Sequence, residues 1–541
     1  MRIVFIQPPI EDFYSTPIRL QPIGLAYLSG VLKKHFPEVD VIVKDFQQGW
    51  GKRSIPLPDA LRFLKDYYRF PDRSPFSTFY HYYRFGASEE QVLKEVGALN
   101  PDLIGISMLF TAYAPQALQL ARILKKSLNV PILLGGSDVS ARANELLALP
   151  FVDFVIRGEG ERPVVRFVEE WLGKRRFDKV PNLGFKTAHE KLVFNDLQEN
   201  FAIDELPFPD FAGLNLEHYR LGRRKLSFLI SSRGCPYRCA FCSVHQTFGH
   251  RLRLRSVENI LQEMELRLAA GVRAFDFEDD NLTLDQRRFK TLCKEIIKNY
   301  AAYDLKLLAM NGLAYFKLDD QTLELMKDAG FGELNISLVS LNQPVLKQLK
   351  RPFNLQKFER VVQTAHALGM SVISYQILGL PGESVDSMLQ TLIYLSRLPL
   401  RIGVSPFYLT PGMPLEGSLP EHKKPWWVVG RLSSLSATEN EARRQRIFTL
   451  FVMARMVNFL KELDLSGKSL LLKEILAERN NWQGRDLTGL EILFKLLTED
   501  RFYVFDGNDF RLHPAFDVDL FKKFMEEVKW IKRLDGGTIS V

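Results

Sequence analysis

Residues 235–242 read Cys235-Pro236-Tyr237-Arg238-Cys239-Ala240-Phe241-Cys242, which places three of the four cysteines of the chain at C-x3-C-x2-C spacing. An apolar run at residues 226–232 comes directly before and predicts a β-strand, with Arg233-Gly234 as the turn. The thiols are therefore expected on a loop just past the carboxyl end of a strand. Thiolates suit iron–sulfur clusters and zinc. Structural zinc usually takes four protein ligands, whereas three thiolates on a cubane cluster leave one iron open. A zinc loop and three buried free thiols are the alternatives.

The same stretch has an aromatic residue, Phe241, just before the third cysteine. This pattern resembles the signature of the radical S-adenosylmethionine (SAM) superfamily. The resemblance implies that Cys235, Cys239 and Cys242 hold a [4Fe-4S] cluster and that Phe241 lies at the SAM site. In that family the open iron binds the amino and carboxylate groups of SAM. An electron from the cluster then cleaves SAM to a 5′-deoxyadenosyl radical.

Composition limits the class of protein. A chain of 541 residues predicts two to four domains, and 46% hydrophobic with 25% charged residues is typical of a soluble globular protein. The net charge of +8 (72 basic minus 64 acidic) is far from that of a dedicated nucleic-acid binder, although it fits an anionic substrate or surface. Four cysteines do not make a disulfide framework, and an oxygen-labile cluster needs a reducing cytoplasm, where we expect the protein. The first nine residues predict no signal peptide, and no run of 18 apolar residues predicts a membrane span.

The N-terminal region alternates short strands with helices. Strands are expected at residues 3–7, 39–46, 102–109, 131–136 and 154–158, and helices at 22–36, 112–128, 139–148 and 161–172. This alternation predicts a Rossmann-like, doubly wound parallel sheet, which binds ligands at the carboxyl ends of its strands. No G-x-G-x-x-G opens the first helix, which disfavours a nicotinamide cofactor.

Two motifs in this region resemble the cobalamin (B12)-binding domain that precedes many radical SAM domains. They are Pro22-Ile23-Gly24-Leu25-Ala26-Tyr27-Leu28, and Gly135-Gly136 followed by Gly158-Glu159-Gly160-Glu161. The resemblance implies a cobalamin site at the strand ends, formed by Gln7, Pro8, Pro9, Ser107, Gly135, Gly136, Ser137, Gly158, Glu159 and Gly160. The D-x-H-x-x-G motif that supplies an axial histidine elsewhere is absent, and Gln47 stands two places after Asp45. Many radical SAM members lack that histidine, so the alternative, a domain that binds no cobalamin, stays open.

An insertion at residues 50–90 is rich in aromatic residues, and residues 182–195 predict a β-hairpin. The insertion is interpreted as an extra helical cover. The alternative is that it caps the corrin or contributes to the substrate pocket.

The central region again alternates strands and helices. Six strands are expected at residues 228–232, 274–278, 306–310, 333–339, 371–378 and 403–409. Six βα units with polar residues at the strand ends predict a partial (βα)6 TIM-like barrel, which is the fold that the resemblance implies. Cys293 lies at a helical core spacing and is interpreted as a buried thiol.

Several strand ends match SAM-binding motifs of the family. The resemblance implies contacts to SAM from Phe241, Glu278, Asp279, Asp280, Asn311, Ser340, Arg351, Gly379, Pro381 and Gly382. Acidic side chains suit the ammonium of SAM, and an arginine suits its carboxylate. Where relatives often carry Glu-Ser, this chain has Val339-Ser340, so the Ser340 assignment is the weakest. Taken singly, each charged residue is better explained as a solvated loop end, and the agreement of several strand ends after a cluster motif is what favours the SAM assignment.

The C-terminal region predicts helices, including one from 439 to 463 that is apolar on two sides, and a hairpin at 501–512. A helix of this kind is expected to be buried between domains, the alternative being contact with lipid. The domains are accordingly a cobalamin-binding domain at 1–200, a radical SAM barrel at 201–420 and a mainly helical substrate or cover domain at 421–541.

Cysteine counting favours one cluster, because residues 1–234 contain no cysteine. Together the resemblances imply a cobalamin-dependent radical SAM enzyme, most often a methyltransferase that methylates an unactivated carbon through hydrogen abstraction and methylcobalamin. A small-molecule, peptide or lipid-like substrate and a flavodoxin- or ferredoxin-type electron donor are the expected partners. Alternatives are a cyclase, ring-contracting enzyme or mutase, a radical SAM enzyme without cobalamin, and a non-catalytic iron–sulfur sensor that uses the C-terminal hairpin on nucleic acid.

Overall fold

The computed structural model describes residues 1–14, 21–198, 201–419, 422–435, 440–465 and 468–541. The chain forms two compact units, each assembled from separate stretches. The first unit comprises Met1–Ile55, Tyr82–Leu282 and Leu409–Gly430, and the second comprises Pro56–His81, Thr283–Tyr408 and Arg431–Val541. The domain borders expected from the sequence stay a prediction, because these units follow packing and cross the predicted borders.

The first unit is built on a seven-stranded sheet. Its parallel core carries strands in the order β8-β7-β6-β1-β3, and β9 and β10 continue it antiparallel beyond β8. The bounds are β1 Arg2–Gln7, β2 Ile10–Asp12, β3 Asp40–Asp45, β4 Lys52–Ile55, β5 Tyr82–Phe85, β6 Leu103–Ser107, β7 Ile132–Gly135, β8 Phe154–Ile156, β9 Leu183–Lys186 and β10 Leu192–Phe194. The predicted parallel sheet and the predicted hairpin are both present.

Helices cover both faces of this sheet, and they are α1 Ile23–His35, α2 Glu89–Ala98, α3 Ala114–Leu128, α4 Ser137–Leu147 and α5 Glu161–Leu172. Val4 and Ile6 of β1 pack with apolar residues of α2, α3 and α4 on one face, whereas Ile3 and Phe5 pack with α1 and α5 on the other. A strand buried on both faces reads as a continuous apolar run, which is how β1 appears in the sequence. The α/β class is thereby confirmed.

The region that follows the hairpin carries the cysteines. Its elements are β11 Arg220–Leu221, β12 Arg224–Leu229, β13 Ser232–Arg233, α6 His245–Phe248, β14 Arg253–Leu254, α7 Val257–Ala269 and β15 Val272–Phe277. Strands β12 and β15 are parallel neighbours, and Phe228 lies opposite Asp276. The prediction of one strand through residues 228–232 was wrong at its end. The strand stops at Leu229, and Ser231 and Ser232 turn away because both donate hydrogen bonds to Asp279.

The second unit begins with α8 Gln286–Tyr300, β16 Lys306–Leu308, α9 Asp320–Ala329, β17 Glu333–Val339, α10 Gln343–Gln348, α11 Leu355–Ala367, β18 Ser371–Leu378, α12 Val385–Ser396 and β19 Arg401–Pro406. Strands β17, β18 and β19 form a parallel sheet. Each helix from α8 to α12 has a polar N-cap side chain that accepts a hydrogen bond from the third helical residue, as Ser384 does from Ser387. All six predicted strands of the central region occur.

The remaining elements are α13 Trp426–Val429, which belongs to the first unit, and then α14 Glu441–Glu462, β20 Leu470–Leu471, α15 Leu472–Ala477, α16 Gly484–Glu499, β21 Tyr503–Phe505, β22 Phe510–Leu512, α17 Val518–Glu527, β23 Trp530–Lys532 and β24 Thr538–Ser540 in the second. The predicted long helix and hairpin are both present, and the helix is buried on several sides. Lys461 of α14 is fully buried, and its ammonium donates hydrogen bonds to the carbonyls of Leu395, Leu398 and Leu400.

The insertion at residues 50–90 is not the extra helical cover that its sequence predicted. β4 and β5 form an antiparallel sheet with β2, and a 3-10 helix, Asp59–Asp66, lies between them. Residues 56–81 belong to the second unit, where Phe76 packs edge-to-face on Phe459 of α14. Aromatic residues at irregular spacing signal burial, but they do not show against which distant element they are buried. Within the described ranges, no helix combines the length and apolarity needed to cross a membrane.

Candidate functional site

The three thiols lie on the loop between β13 and β14, in the first unit. Cys239 is buried, Cys235 and Cys242 are half-buried, and all three are free. The amide of Cys242 donates a hydrogen bond to the Cys239 carbonyl, 3.1 Å away, which folds the loop back on itself. Burial raises the pKa of Cys235 and raises that of Cys242 to about 11, with smaller contributions from the neighbouring thiols. The loop therefore brings the three sulfur atoms into one partly enclosed volume.

The donor set fits a cluster better than a single ion. Among the residues that the structure describes, no three His, Cys, Asp or Glu side chains are arranged around one metal-ion position. A [4Fe-4S] cluster takes each thiolate on a different iron, so its three cysteine ligands do not converge on one point. Three thiolates on one loop are a donor set that suits a [4Fe-4S] cluster.

The loop is fastened to the end of β15. The carboxylate of Asp279 accepts hydrogen bonds from the Ser231 amide at 3.1 Å and from the hydroxyls of Ser231 and Ser232. Asp280 accepts one from the Gly234 amide at 2.8 Å, and the Asn281 amide nitrogen lies 3.8 Å from the Cys235 sulfur. Sequence reasoning did not select Asn281, although its place directly after Asp280 was the available signal.

Asp279 and Asp280, both predicted to contact SAM, differ in their burial and in their hydrogen bonds. Asp279 is 1% exposed and its carboxylate is committed to the loop, so it serves the architecture of the site. Asp280 is half-buried, and burial raises the pKa of its carboxyl to about 6. Glu278 is held by its backbone, whose amide donates to the Leu229 carbonyl at 2.8 Å.

Gly234 is required by the geometry of the turn. Its φ is +84°, and a β-carbon there would lie 2.4 Å from the Arg251 carbonyl oxygen. A side chain at this position would therefore displace the backbone that leads into Cys235.

The predicted cobalamin residues line the carboxyl edge of the seven-stranded sheet. Gln7, Pro8 and Ser107 border one hollow, together with Gln47, Met108, Leu109, Phe110 and Tyr113. Leu109 and Phe110 are 40% and 49% exposed, an unusual position for large apolar side chains. The lining of the hollow thus combines two buried glutamines, Gln7 and Gln47, with exposed apolar side chains. Sequence reasoning did not select Leu109 and Phe110, although they stand two and three places after Ser107.

The glycines along the same edge differ in their surroundings. A β-carbon at Gly135 would meet nothing within 4 Å, so this stretch of backbone is accessible to a ligand. Gly136 has a φ of +125°, and a β-carbon there would lie 2.4 Å from the Met108 carbonyl oxygen. The Gly158 amide donates to the Ser140 hydroxyl at 2.8 Å, and the Ser137 hydroxyl contacts that of Thr247 at 3.2 Å.

Gln47 occupies the place of the missing axial histidine. It is 2% exposed, and the Gln7 side chain donates a hydrogen bond to its amide oxygen at 3.3 Å. Asp45 accepts hydrogen bonds from the Gln47 amide and the Tyr219 hydroxyl. The Asp45 carboxylate therefore orients the loop that carries Gln47. Neither Asp45 nor Gln47 has an imidazole nitrogen that could serve as the axial ligand.

The Glu159 side chain is engaged in ion pairs within the protein, and its assignment to cobalamin stays a prediction. Its carboxylate pairs with Arg233 at 2.6 Å and with Arg253 at 2.8 Å, and it is 5% exposed. A buried carboxylate with two arginine partners is not available to a ligand. Glu159 also lines a cavity of about 140 Å³, together with residues of the turn after β8 and of α6.

In the second unit, the loops after the strands carry the other predicted SAM residues. Asn311 lies three residues beyond β16, so it does not end the strand as predicted. Arg351 donates a hydrogen bond to the Ser337 carbonyl at 3.3 Å. Its Nε atom is buried and has no hydrogen-bond partner among the described residues, which suits a group awaiting a carboxylate.

Ser340 is fully buried and donates a hydrogen bond to Glu383, so its hydroxyl is engaged within the protein. Val339, directly before it, has a φ of +71°, a strained conformation for a β-branched residue. Burial raises the pKa of Glu383 to about 7, although the hydrogen bonds that its carboxyl accepts from the Ser340 and Ser387 hydroxyls lower this pKa. The predicted contact from Ser340 thus requires its backbone.

The turn formed by Gly379, Pro381 and Gly382 is held by α14. Arg443 donates hydrogen bonds to the carbonyls of Leu380, at 3.3 Å, and Glu383, at 2.7 Å. Gly379 has a φ of +88°, and a β-carbon there would lie 2.8 Å from Ile447. Sequence reasoning missed Arg443, because nothing in its neighbourhood marks it.

Comparison with known proteins identifies two domains. The Radical SAM superfamily model matches residues 229–395, and the B12 binding domain model matches residues 80–168. The chain is 26% identical over 430 residues to the cytidylyl-2-hydroxyethylphosphonate methyltransferase of Streptomyces wedmorensis, covering 72% of this chain and 75% of that protein. It is 24% identical over 315 residues to the anaerobic magnesium-protoporphyrin IX monomethyl ester cyclase of Rubrivivax gelatinosus, covering 56% of each.

Among solved structures, the radical SAM methyltransferase TsrM from Kitasatospora setae, with cobalamin and a [4Fe-4S] cluster bound, superposes with a TM-score of 0.59. The likeness covers 76% of each chain at 18% identity, which shows a shared fold. The family matches include the cysteine loop in one model and the Gly158-Glu159-Gly160-Glu161 motif in the other. The chain therefore contains a Radical SAM domain and a B12 binding domain, as its two family matches show.

Proposed function

We propose that this protein is a cobalamin-dependent radical SAM enzyme, and that it methylates an unactivated carbon. The observation that carries the proposal is the three-thiol loop, which shares one compact unit with the B12-type sheet. When bound, the cluster and SAM supply a 5′-deoxyadenosyl radical, and cobalamin supplies the methyl group. The protein binds and orients these groups, as the following assignments describe.

In the first unit, Cys235, Cys239 and Cys242 hold the cluster, and Phe241 borders the SAM site. Asp280 and the backbone at Glu278 offer acceptors to the SAM ammonium. Asp279 orients the loop through Ser231 and Ser232. Each role follows from what the side chain has left to offer after its internal hydrogen bonds.

The carboxyl edge of the seven-stranded sheet would hold cobalamin. Gly135 leaves its stretch of backbone open to a flat ligand, and Gly136, Gly158 and Gly160 are assigned to the same site. Leu109 and Phe110 would offer it apolar surface. Gln7, Pro8, Pro9, Ser107 and Ser137 complete the contact, whereas Glu159 serves the loop of the cysteines.

In the second unit, Arg351, Asn311 and the turn of Gly379, Pro381 and Gly382 are assigned to SAM. The Arg351 guanidinium suits its carboxylate, and the turn suits the adenine side. Ser340 contributes through its backbone, since its hydroxyl is bonded to Glu383. The partial (βα)6 barrel predicted from the sequence remains part of this proposal.

The substrate is a small molecule, and a low-potential flavodoxin- or ferredoxin-type donor reduces the cluster in the cytoplasm. The methyltransferase relative favours methylation and matches the greater part of this chain. The cyclase relative supports a second candidate, a cobalamin-dependent cyclisation, because it covers 56% of the chain.

The test is anaerobic reconstitution with iron, sulfide and hydroxocobalamin, followed by dithionite and SAM. Bound corrin with both 5′-deoxyadenosine and S-adenosylhomocysteine supports radical methyl transfer. Deoxyadenosine with bound corrin, but without S-adenosylhomocysteine when candidate acceptors are supplied, favours the cyclase. An intact cluster that yields neither product contradicts the proposal.

A further inference from the structure

Four charged side chains are buried together beside the cysteine loop. Arg233 contacts Glu159 at 2.6 Å and Glu161 at 2.7 Å, and Arg253 contacts Glu159 at 2.8 Å. The four side chains are between 4% and 7% exposed. Two cations and two anions leave the group neutral. Each guanidinium nitrogen of the Arg233 fork bonds a different carboxylate, an arrangement that fixes the direction of the side chain.

The partners of Arg233 come from separate motifs. Glu159 and Glu161 belong to the turn after β8 and to the first residue of α5, inside the stretch matched by the B12 binding domain model. Arg233 and Arg253 lie inside the Radical SAM match. The ring of Tyr27, from the other cobalamin-type motif, stacks on the Arg233 guanidinium with 5.2 Å to its centroid. Three sequence motifs therefore meet at one side chain.

Arg233 also begins the turn into the cysteines. Gly234 follows it in a left-handed conformation, its amide bonded to Asp280, and Cys235 comes next. The Arg233 guanidinium is held at its two terminal nitrogens, and Gly234 is held at its amide. The backbone entering the loop is therefore fixed at two successive residues. A buried arginine that loses one carboxylate is left with an uncompensated charge, so the arrangement is sensitive to small changes.

We infer that Arg233 is a positioning residue, which Glu159 and Glu161 hold so that the cysteine loop keeps one placement against the B12-type sheet. This inference rests on the proposed function, since it concerns where the cluster lies relative to the corrin edge. It gives the Gly158-Glu159-Gly160-Glu161 motif two tasks. Gly158 makes the turn in a left-handed conformation, and the glutamates set the position of the loop.

The test compares Arg233→Lys and Glu161→Gln with matched controls. Arg84 is also buried and bridges two glutamates, Glu11 at 3.1 Å and Glu89 at 2.8 Å, in the same unit. Arg84→Lys and Glu89→Gln therefore remove the same chemistry away from the cysteines. Lysine keeps the charge of arginine but cannot span two carboxylates with a planar fork.

The first readout uses the metal-free, full-length protein. Hydrogen–deuterium exchange of peptides covering residues 233–242 is expected to accelerate about tenfold in Arg233→Lys and Glu161→Gln, and to stay unchanged in the Arg84 and Glu89 variants. Unchanged exchange in both test variants would overturn the inference. Faster exchange in all peptides, in the Arg84 and Glu89 variants as well as in the test variants, would also overturn the inference. It would reflect a general loss of stability and not a local effect on the loop.

The second readout uses protein loaded with cluster and cobalamin, and measures the dipolar coupling between the reduced cluster and cob(II)alamin by pulsed electron paramagnetic resonance. A shifted or broadened distance distribution in Arg233→Lys, with full iron content, is expected. A distribution identical to that of the unaltered protein would overturn the inference. If the unaltered protein binds no corrin, the proposed function fails, and the exchange measurement still decides the placement of the loop.

Discussion

At the scale of single residues, Cys235, Cys239 and Cys242 differ from Cys293 in the surroundings that the fold gives them. Cys293 is 1% exposed, and burial raises its pKa to about 12, as expected for an inert core thiol of α8. The other three share a loop with a polar lining from Asp280 and Asn281. Spacing alone suggested this division, and the structure supplies its reason.

Replacing Cys239 by alanine is expected to abolish the cluster. Two thiolates do not hold a [4Fe-4S] cluster stably, so iron content and the broad visible absorbance after reconstitution should fall about tenfold. Cys293→Ala is the control and should load fully. Equal iron in the two variants would contradict the assignment of the loop.

Glu383 is predicted to make stability depend on pH. Its folded pKa of about 7 lies above the ordinary value of 4.5, so the folded state retains a proton that the unfolded state releases. Stability from this group is complete below pH 4.5 and is lost as the pH rises through 7, by on the order of 3 kcal/mol. Glu383→Gln cannot ionise, so its urea midpoint should exceed that of the unaltered protein at pH 8 and approach it at pH 5. Parallel pH profiles for the two proteins would refute this.

At the scale of elements, helix α14 does more than fill the core of the second unit. Its residues Arg443 and Ile447 contact the turn that follows β18, and Lys461 satisfies three carbonyls at and beyond the end of α12. The sequence predicted burial of this helix from its two apolar sides. It did not predict that a polar side chain on the same helix would hold a candidate SAM turn, because that contact joins residues about 60 positions apart.

Arg443→Met should weaken SAM binding about tenfold, since two carbonyls of the turn lose their donor and the turn gains freedom. Equilibrium dialysis with labelled SAM on the reconstituted protein measures the effect. Arg446→Met, on the same helix but 53% exposed and paired with Asp517, should leave the affinity unchanged. A similar loss in both variants would indicate a general effect on the helix.

At the scale of the whole molecule, the chain order and the packing order differ. Residues 56–81 leave the N-terminal region and belong to the second unit, while residues 409–430 belong to the first. Tyr68 donates a hydrogen bond to the Ser433 carbonyl at 2.6 Å, and Phe79 lies 6.0 Å from Phe451 between ring centroids. The aromatic insertion is thus part of the core around α14.

Truncating Phe76 to alanine is expected to cost about 3 to 5 kcal/mol in the second unit, because a fully buried ring is lost. Hydrogen exchange of peptides from α14 should accelerate while those from β1 keep their protection. Phe110→Ala removes a ring that is 49% exposed and should change stability by less than about 1 kcal/mol. Unaltered protection of α14 in Phe76→Ala would mean that the insertion does not support the second unit.

Features that depend on near neighbours along the chain could be predicted from the sequence. Cysteine spacing, the alternation of strands and helices and the strand-end glycines are all local, and the elements they predict occur within a few residues of the expected bounds.

The partner of each polar group, in contrast, depends on contacts between distant parts of the folded chain. Glu159 pairs with Arg233 across 74 residues, and Ser340 with Glu383 across 43, so neither carboxylate nor hydroxyl is free for the ligand that its motif suggested. The physical reason is that a buried charge or hydroxyl must be satisfied by whatever the fold brings close, and no short-range pattern encodes that neighbour.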